Sequence, residues 1–181
     1  VIGSGSSGNC LAIYDSRGQY VLVDAGLPYK SILSKVDYDI VSCKSVFYTH
    51  GHQDHSKSMD DFIRAGIPCY GNHGLCSLHP GCRLIECGGA VSLDGWRIPT
   101  FELVHNVPNN AFIIDTFDGI RILYCTDTKY IPYRVRNVNY AVIECNHDDD
   151  YMIDNMMEGR FSASRPEHHQ EITDCIDYLR R

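Results

Sequence analysis

The segment Tyr48-Thr49-His50-Gly51-His52-Gln53-Asp54-His55 places three imidazoles and a carboxylate within six residues. His50 and His52 stand two positions apart, so in an extended loop both rings point the same way. Asp54 and His55 follow at the turn into a helix and can face a second position nearby. Imidazole nitrogens and carboxylate oxygens hold zinc, manganese or iron, and four of them at this spacing can start two neighbouring metal sites. The alternative is a polar loop with incidental histidines. Nine histidines in 181 residues make this the place where a search for function begins, because imidazole is also the usual proton shuttle near neutral pH.

Such a cluster needs strands and helices to position it. Short β-rich runs recur at 11–14, 20–24, 45–48, 67–70, 83–86, 96–103, 111–116, 120–125 and 140–144, separated by turn signals such as Arg17-Gly18, Asp94-Gly95 and Asp118-Gly119. Helical patterns cover 28–36, 59–65, 73–78, 152–158 and 167–181. In the last of these Ile172, Ile176 and Leu179 recur at helical spacing, which predicts one face packed on the core. Strands interspersed with helices predict an α/β layered sandwich. No repeat or linker interrupts 1–181, which reads as a single domain. Val1 opens directly into a glycine-rich turn, so an initiating methionine and part of a first strand are expected to precede it.

Composition bounds the function class. Hydrophobic residues make up 44%, enough for a core, and 22% charged residues exclude a disordered tail or a long coiled coil. No apolar run approaches the roughly 18–20 residues that span a bilayer, so no membrane role is expected. A net charge of −7 speaks against a protein that holds duplex DNA by side-chain charge alone. The nine cysteines are odd in number and include no CxxC, which fits reduced thiols in the cytoplasm. Cys69, His73, Cys76, His79, Cys82 and Cys87 cluster in sequence, but their spacing matches no standard zinc knuckle, and buried thiols in apolar runs are the simpler reading.

The His-x-His-x-Asp-His signature after a strand resembles that of the metallo-β-lactamase fold superfamily. Gly3-Ser4-Gly5-Ser6-Ser7-Gly8-Asn9-Cys10, together with Val21-Leu22-Val23-Asp24-Ala25-Gly26, is similar to its YycJ-like branch, bacterial and phage proteins associated with DNA exonuclease activity. The resemblance spans nearly the whole chain. It implies a four-layer αββα sandwich, two mixed β-sheets covered by helices, with a dinuclear metal site along the edge between the sheets. By resemblance His105 completes a first triad with His50 and His52, and Asp127 bridges the two metals. Taken alone, His105 could cap a strand and Asp127 could be a turn residue. The family's last histidine precedes a C-terminal helix. Here His168 and His169 both qualify, and counting back from Cys175 and Ile176 favours His169. The second site would then hold Asp54, His55, Asp127 and His169.

The resemblance also implies that Asp24 supports the ligating histidines, as metal sites generally require; a strand-end turn beside Gly26 is the plainer alternative. The turn at residues 3–8, with Ser6, Ser7 and Asn9, can present backbone N–H groups to an anionic substrate, or can simply be a tight connection. Glu144-Cys145-Asn146-His147-Asp148 resembles a family segment beside the pocket. There Asn146 would contact substrate and His147 would donate a proton to the leaving oxygen, unless His147 is a solvated loop residue. Asn106-Val107 departs from the branch, which commonly has an acidic residue after the histidine.

The implied activity is that of a metal-dependent hydrolase. Two divalent ions, zinc or manganese with iron also admissible, would share Asp127 and a water and generate a bridging hydroxide for attack on a phosphodiester, with Asp54 and His147 as catalytic residues. The expected substrate is nucleic acid, DNA ends in particular. The ions would offset part of the −7 charge in the cleft. Lys129, Arg134, Arg136, Arg160 and Arg165 are either a phosphate rim or solvated surface charges. The competing readings are a small-molecule hydrolase of glyoxalase-II or lactonase type and a non-catalytic metal-binding protein of the same fold. A true β-lactamase is disfavoured, because those enzymes usually lack an aspartate at the bridging position.

Overall fold

Tyr20–Val23 is buried at every position, which a strand with one solvated face cannot be. Its odd and even side chains enter two different cores. Val21 and Val23 face Leu11, Ile13, Phe47, Trp96, Ile98, Phe112 and Ile114, whereas Tyr20 and Leu22 face Ile32, Met59, Phe62 and Leu75. The strand therefore lies between a second sheet and a layer of helices, and its unbroken apolar run follows from that position.

The computed structural model describes residues 1–145 and 169–180. The first sheet has the order β1 (Leu11–Tyr14), β2 (Tyr20–Val23), β3 (Cys43–Phe47), β4 (Cys69–Gly71), β5 (Arg83–Leu84). Its first pair is antiparallel and the other three are parallel. The crossovers carry α1 (Tyr29–Lys35), the single turn α2 (Gln53–Ser56), α3 (Met59–Arg64) and α4 (His73–Leu78). The second sheet pairs β6 (Ala90–Leu93), β7 (Trp96–Leu103), β8 (Asn109–Asp115) and β9 (Arg121–Cys125) antiparallel and adds β10 (Tyr140–Ile143) parallel to β9. The helix α5 (Ile172–Arg180) covers its outer face through Cys175 and Tyr178, near Leu123 and Cys125. Helices, sheet, sheet and helix make the four-layer αββα sandwich of two mixed sheets that the family resemblance implies.

The core between the sheets is closed by a polar tie. Buried Trp96 donates its indole N–H to Asp15 Oδ2 at 3.1 Å, and Asp15 also accepts two hydrogen bonds from the Arg17 guanidinium at 2.7 and 2.9 Å. Burial opposes the charge on Asp15, but the bonds from Arg17, Gln19 and Trp96 hold its carboxyl below the usual range.

Two sequence expectations are corrected. Ile172, Ile176 and Leu179 do not form the packed face of the last helix; they are exposed. The helix is turned so that Cys175 is buried instead, and the Tyr178 hydroxyl, which donates to Tyr133 O at 3.1 Å and accepts from Val135 N at 3.4 Å, fixes that rotation. The helix starts at Ile172 rather than 167 in the described chain, and the expected helix at 152–158 lies outside the described residues. The cysteine-rich cluster assembles no group of three metal donors among the described residues. His73 pairs with Glu86, His79 pairs with Asp60, and Cys87 is exposed. Strand β6 carries no expectation from sequence; its short Ala-Val-Ser-Leu alternation sits at the sheet's edge.

Candidate metal centre

The C-terminal ends of β2, β3, β7 and β9 meet along one edge of the sandwich. From the first sheet, β2 delivers Asp24, and β3 runs through Tyr48 and Thr49 into His50. His52 is the N-cap of α2, with Asp54 in its first turn and His55 in its last. From the second sheet, β7 leads to His105 and β9 to Asp127. Thr128 Oγ1 accepts from Val104 N at 3.2 Å, and Lys129 N donates to Val104 O at 3.0 Å, so these two loops are fastened to each other. Asn72 joins the sheets, donating through Nδ2 to Thr49 O at 3.1 Å and Pro108 O at 2.8 Å.

The donors converge closely. His50 Nε2 lies 3.1 Å from His52 Nδ1, and His105 Nε2 lies 3.4 Å from the same His52 nitrogen. Asp127 Oδ2 stands 3.3 Å from His50 Nε2, 3.9 Å from His105 Nε2 and 3.2 Å from His55 Nε2. Asp54 Oδ2 is 3.6 Å from His55 Nε2. Nitrogens about 2.0–2.1 Å from one tetrahedral ion lie roughly 3.3–3.4 Å apart, which is the edge seen here. An N–H···N bond could account for one such pair but not for three rings and a carboxylate converging together. The donor set fits divalent metals in three groups that overlap at Asp127: His50/His52/His105/Asp127, Asp54/His55/Asp127 and Asp127/Glu144/His169.

The outer nitrogens of His50 and His55 are fixed as well. Thr49 Oγ1 donates to Asp24 Oδ1 at 2.9 Å, so it is placed to accept from His50 Nδ1 at 3.0 Å, which leaves Nε2 facing the centre. Asp24 Oδ2 lies 2.8 Å from His55 Nδ1 and accepts from the Tyr124 hydroxyl at 3.0 Å. Burial alone would push the His55 imidazole down, but the Asp24 and Asp127 carboxylates on its two nitrogens bring it up to about 10. Burial likewise opposes ionisation of Asp127, yet hydrogen bonds from His50 and His55 hold it well below the carboxylate range. Burial and the neighbouring His50 lower His52.

Asp24 and Asp127 both adopt left-handed backbone, with φ of 58° and 51°. This conformation is uncommon away from glycine and recurs where structure holds strain at functional sites. Gly26 completes the local geometry: a Cβ there would come within 1.7 Å of Asp54 O, so only glycine lets the two loops touch.

His169 does not join Asp54 and His55 in one donor group. It clusters with Asp127 and Glu144, its Nδ1 3.0 Å from Glu144 Oε1. The other Glu144 oxygen accepts from Asp127 N at 2.6 Å. Asn9 faces the centre as well as the N-terminal turn: Nδ2 is 3.0 Å from His55 Nε2, while Oδ1 accepts from Gly5 N at 2.9 Å. Ser6 and Asn9 line a cleft of about 660 Å³ beside His52, Asp54, Asp127 and His169, whereas Ser7 is exposed off its lining. The Gly8 amide donates to Gly5 O at 3.0 Å, so it is used within the turn. Asn146, His147, His168, Arg160 and Arg165 lie outside the described residues. Lys129, Arg134 and Arg136 are exposed, and among the described residues no lysine or arginine lines the cleft.

Sequence reasoning missed Thr49, Tyr124 and Asn72 and gave Glu144 no role. Of these only Asn72 carried a local signal, as an asparagine before a helical run; its side chain caps α4 by accepting from Leu75 N.

A family model described as the metallo-beta-lactamase superfamily matches residues 3–75. No curated protein matches the chain. Among solved structures, the metallo-beta-lactamase fold protein YhfI from Bacillus subtilis superposes with a TM-score of 0.67 at 18% identity, over 88% of this chain and 69% of that one. The short form of human tRNase Z gives 0.67 at 16% identity, over 96% and 81%. A metallo-beta-lactamase from Cronobacter sakazakii gives 0.59 at 12% identity, over 90% and 83%. At these identities the likeness is one of fold. The fold is that of the metallo-β-lactamases, and the family model, which covers the His50–His55 cluster, supports the superfamily.

Proposed function

We propose that this metallo-β-lactamase-fold chain is a dinuclear metal-dependent hydrolase of phosphodiesters, a nuclease of the YycJ-like branch acting on DNA ends in the cytoplasm. One observation carries the reading: Asp127 Oδ2 is shared, 3.3 Å from His50 Nε2 on one side and 3.2 Å from His55 Nε2 on the other. A single carboxylate common to neighbouring donor groups would let the chain hold two ions side by side, and such a pair would supply the charge that phosphodiester cleavage needs.

His50, His52 and His105 would hold the first ion and Asp54 and His55 the second, with Asp127 common to both; His169 would close the second site from its place beside Glu144 and Asp127. The ions, zinc, manganese or iron, supply Lewis acidity and concentrated positive charge. The chain's own residues do the rest. Asp54, half-buried on the cleft wall, would accept the nucleophile's proton. Asp24 and Thr49 hold the imidazoles in register. Ser6 and Asn9 line the cleft in which a phosphate chain would lie, and the sequence resemblance alone would give Asn146 and His147 substrate contact and leaving-group protonation. Superfamily members are mostly metal-dependent hydrolases, and the likeness to a tRNase Z fold supports a nucleic-acid substrate.

A second reading has its own support. A cleft without lysine or arginine among the described residues also suits an uncharged ester, as in a lactonase or glyoxalase-II type of hydrolase. Metal-loaded protein incubated with 5′-labelled single- and double-stranded DNA decides between them, with Asp54→Ala as control. Cleavage lost in the variant supports the nuclease. Hydrolysis of thioesters or lactones without DNA cleavage selects the second reading, and no turnover on either panel selects a non-catalytic metal-binding protein.

A further inference from the structure

Away from the metal centre, Cys76 Sγ and Cys82 Sγ lie 2.7 Å apart. Two unbonded sulfurs normally sit well beyond this, and a disulfide needs about 2.05 Å, so closure requires a shift of only about 0.7 Å. The chain builds the approach deliberately. Cys76 lies on α4, and the turn after it folds back, with His79 N donating to Leu75 O at 2.9 Å and Cys82 N to His79 O at 3.0 Å. Gly81 takes the positive φ of 102° that the turn needs. Gly71 leaves room for the second thiol: a Cβ there would stand 3.3 Å from Cys82 Sγ. Both cysteines are partly exposed, whereas Cys10, Cys43, Cys69, Cys125 and Cys175 are buried.

We propose that Cys76 and Cys82 are a reversible dithiol–disulfide pair, a modification site that clasps α4 to the start of β5. The oxidant is a low-molecular-weight disulfide. A thiolate of the pair attacks one of its sulfurs and releases one small thiol; the second protein thiolate then attacks the mixed disulfide and releases the other. Two protein thiols lose two electrons and two protons, and the small disulfide becomes two thiols. Burial and the adjacent Cys76 push the Cys82 thiol up, so exchange accelerates as pH rises from 7 to 9. The clasp lies one helical turn from Asn72, which ties Thr49 to Pro108, so oxidation stiffens the support of the metal-binding loops.

The test uses the whole chain in oxidised glutathione at pH 8, followed by denaturing alkylation and trypsin. Cleavage after Arg64 and Arg83 places Cys69, Cys76 and Cys82 in one peptide, residues 65–83. The expected peptide carries one label instead of three, and dithiothreitol restores all three. A closed loop of this size raises Tm by about 5 °C, and Cys76→Ser abolishes that rise. Three labels after oxidation, a bridge to Cys69, or an equal Tm rise in Cys76→Ser overturns the proposal.

Discussion

Asp24 and Asp127 hold opposite edges of the same imidazole. Asp24 Oδ2 lies 2.8 Å from His55 Nδ1, and Asp127 Oδ2 lies 3.2 Å from His55 Nε2. One carboxylate follows β2 in the first sheet and the other follows β9 in the second, and both sit in left-handed backbone. Asp24 gathers four donors, the Thr49 amide and hydroxyl, the Tyr124 hydroxyl and the His55 ring, so its job is orientation; Asp127 faces the other imidazoles. The division follows from position, since only Asp127 is on the cleft.

Asp24→Asn keeps the shape and turns an amide toward groups that are themselves donors. Metal affinity is expected to fall about 10–100-fold, as when other supporting partners of a ligand histidine are removed. Equilibrium dialysis against zinc measures it. Unchanged affinity would show that His55 needs no such orientation.

Gly26→Ala puts a methyl group within 1.7 Å of Asp54 O, and backbone must move. Destabilisation of about 3 kcal/mol or more is expected, with loss of bound metal. Gly18→Ala is the control, because that glycine has positive φ but open space around it and should cost only about 1 kcal/mol. Urea unfolding of both variants checks the contrast; equal losses would refute it.

Glu144→Gln leaves one oxygen to serve two donors, Asp127 N and His169 Nδ1. One of the two must face an amide instead. We expect turnover to fall about 10–100-fold while the His50/His52/His105 group keeps its metal. Metal analysis paired with kinetics separates these effects, and full turnover in the variant would remove Glu144 from the site.

Acid should weaken the fold through Asp15. Its folded pKa is lowered despite burial, so the stability it contributes is present above the unfolded value of about 3.9 and lost as pH falls through the folded one. Asp15→Asn is expected to cost about 2 kcal/mol at pH 7 and to flatten the decline of stability below pH 4. Denaturant titrations at pH 7 and pH 3 test the sign; a variant whose decline matches that of the natural chain contradicts it.

What the sequence showed and what it hid differ in range. His50 to His55 were legible because one strand end and one helical turn carry them all. Strands β1 and β7 and helix α4 were legible because short, strongly patterned runs end at clear turn signals. Thr49 and Tyr124 were not, because the partner that gives them meaning, Asp24, lies 25 and 100 residues away. The last helix misled for a related reason. Its apolar spacing named one face, while the Tyr178 hydroxyl bonds to Tyr133 and Val135, set by the other end of the fold, selected another.

The donors are divided between the two sheets, with His50, His52, Asp54 and His55 on one and His105 and Asp127 on the other. Separating the sheets would therefore tear both coordination groups apart in one step. Bound metal would then act on the height of the unfolding barrier as well as on the equilibrium. A loaded molecule would resist proteolysis for longer than its equilibrium stability alone implies, and the lifetime of the folded chain would be tied to the supply of metal.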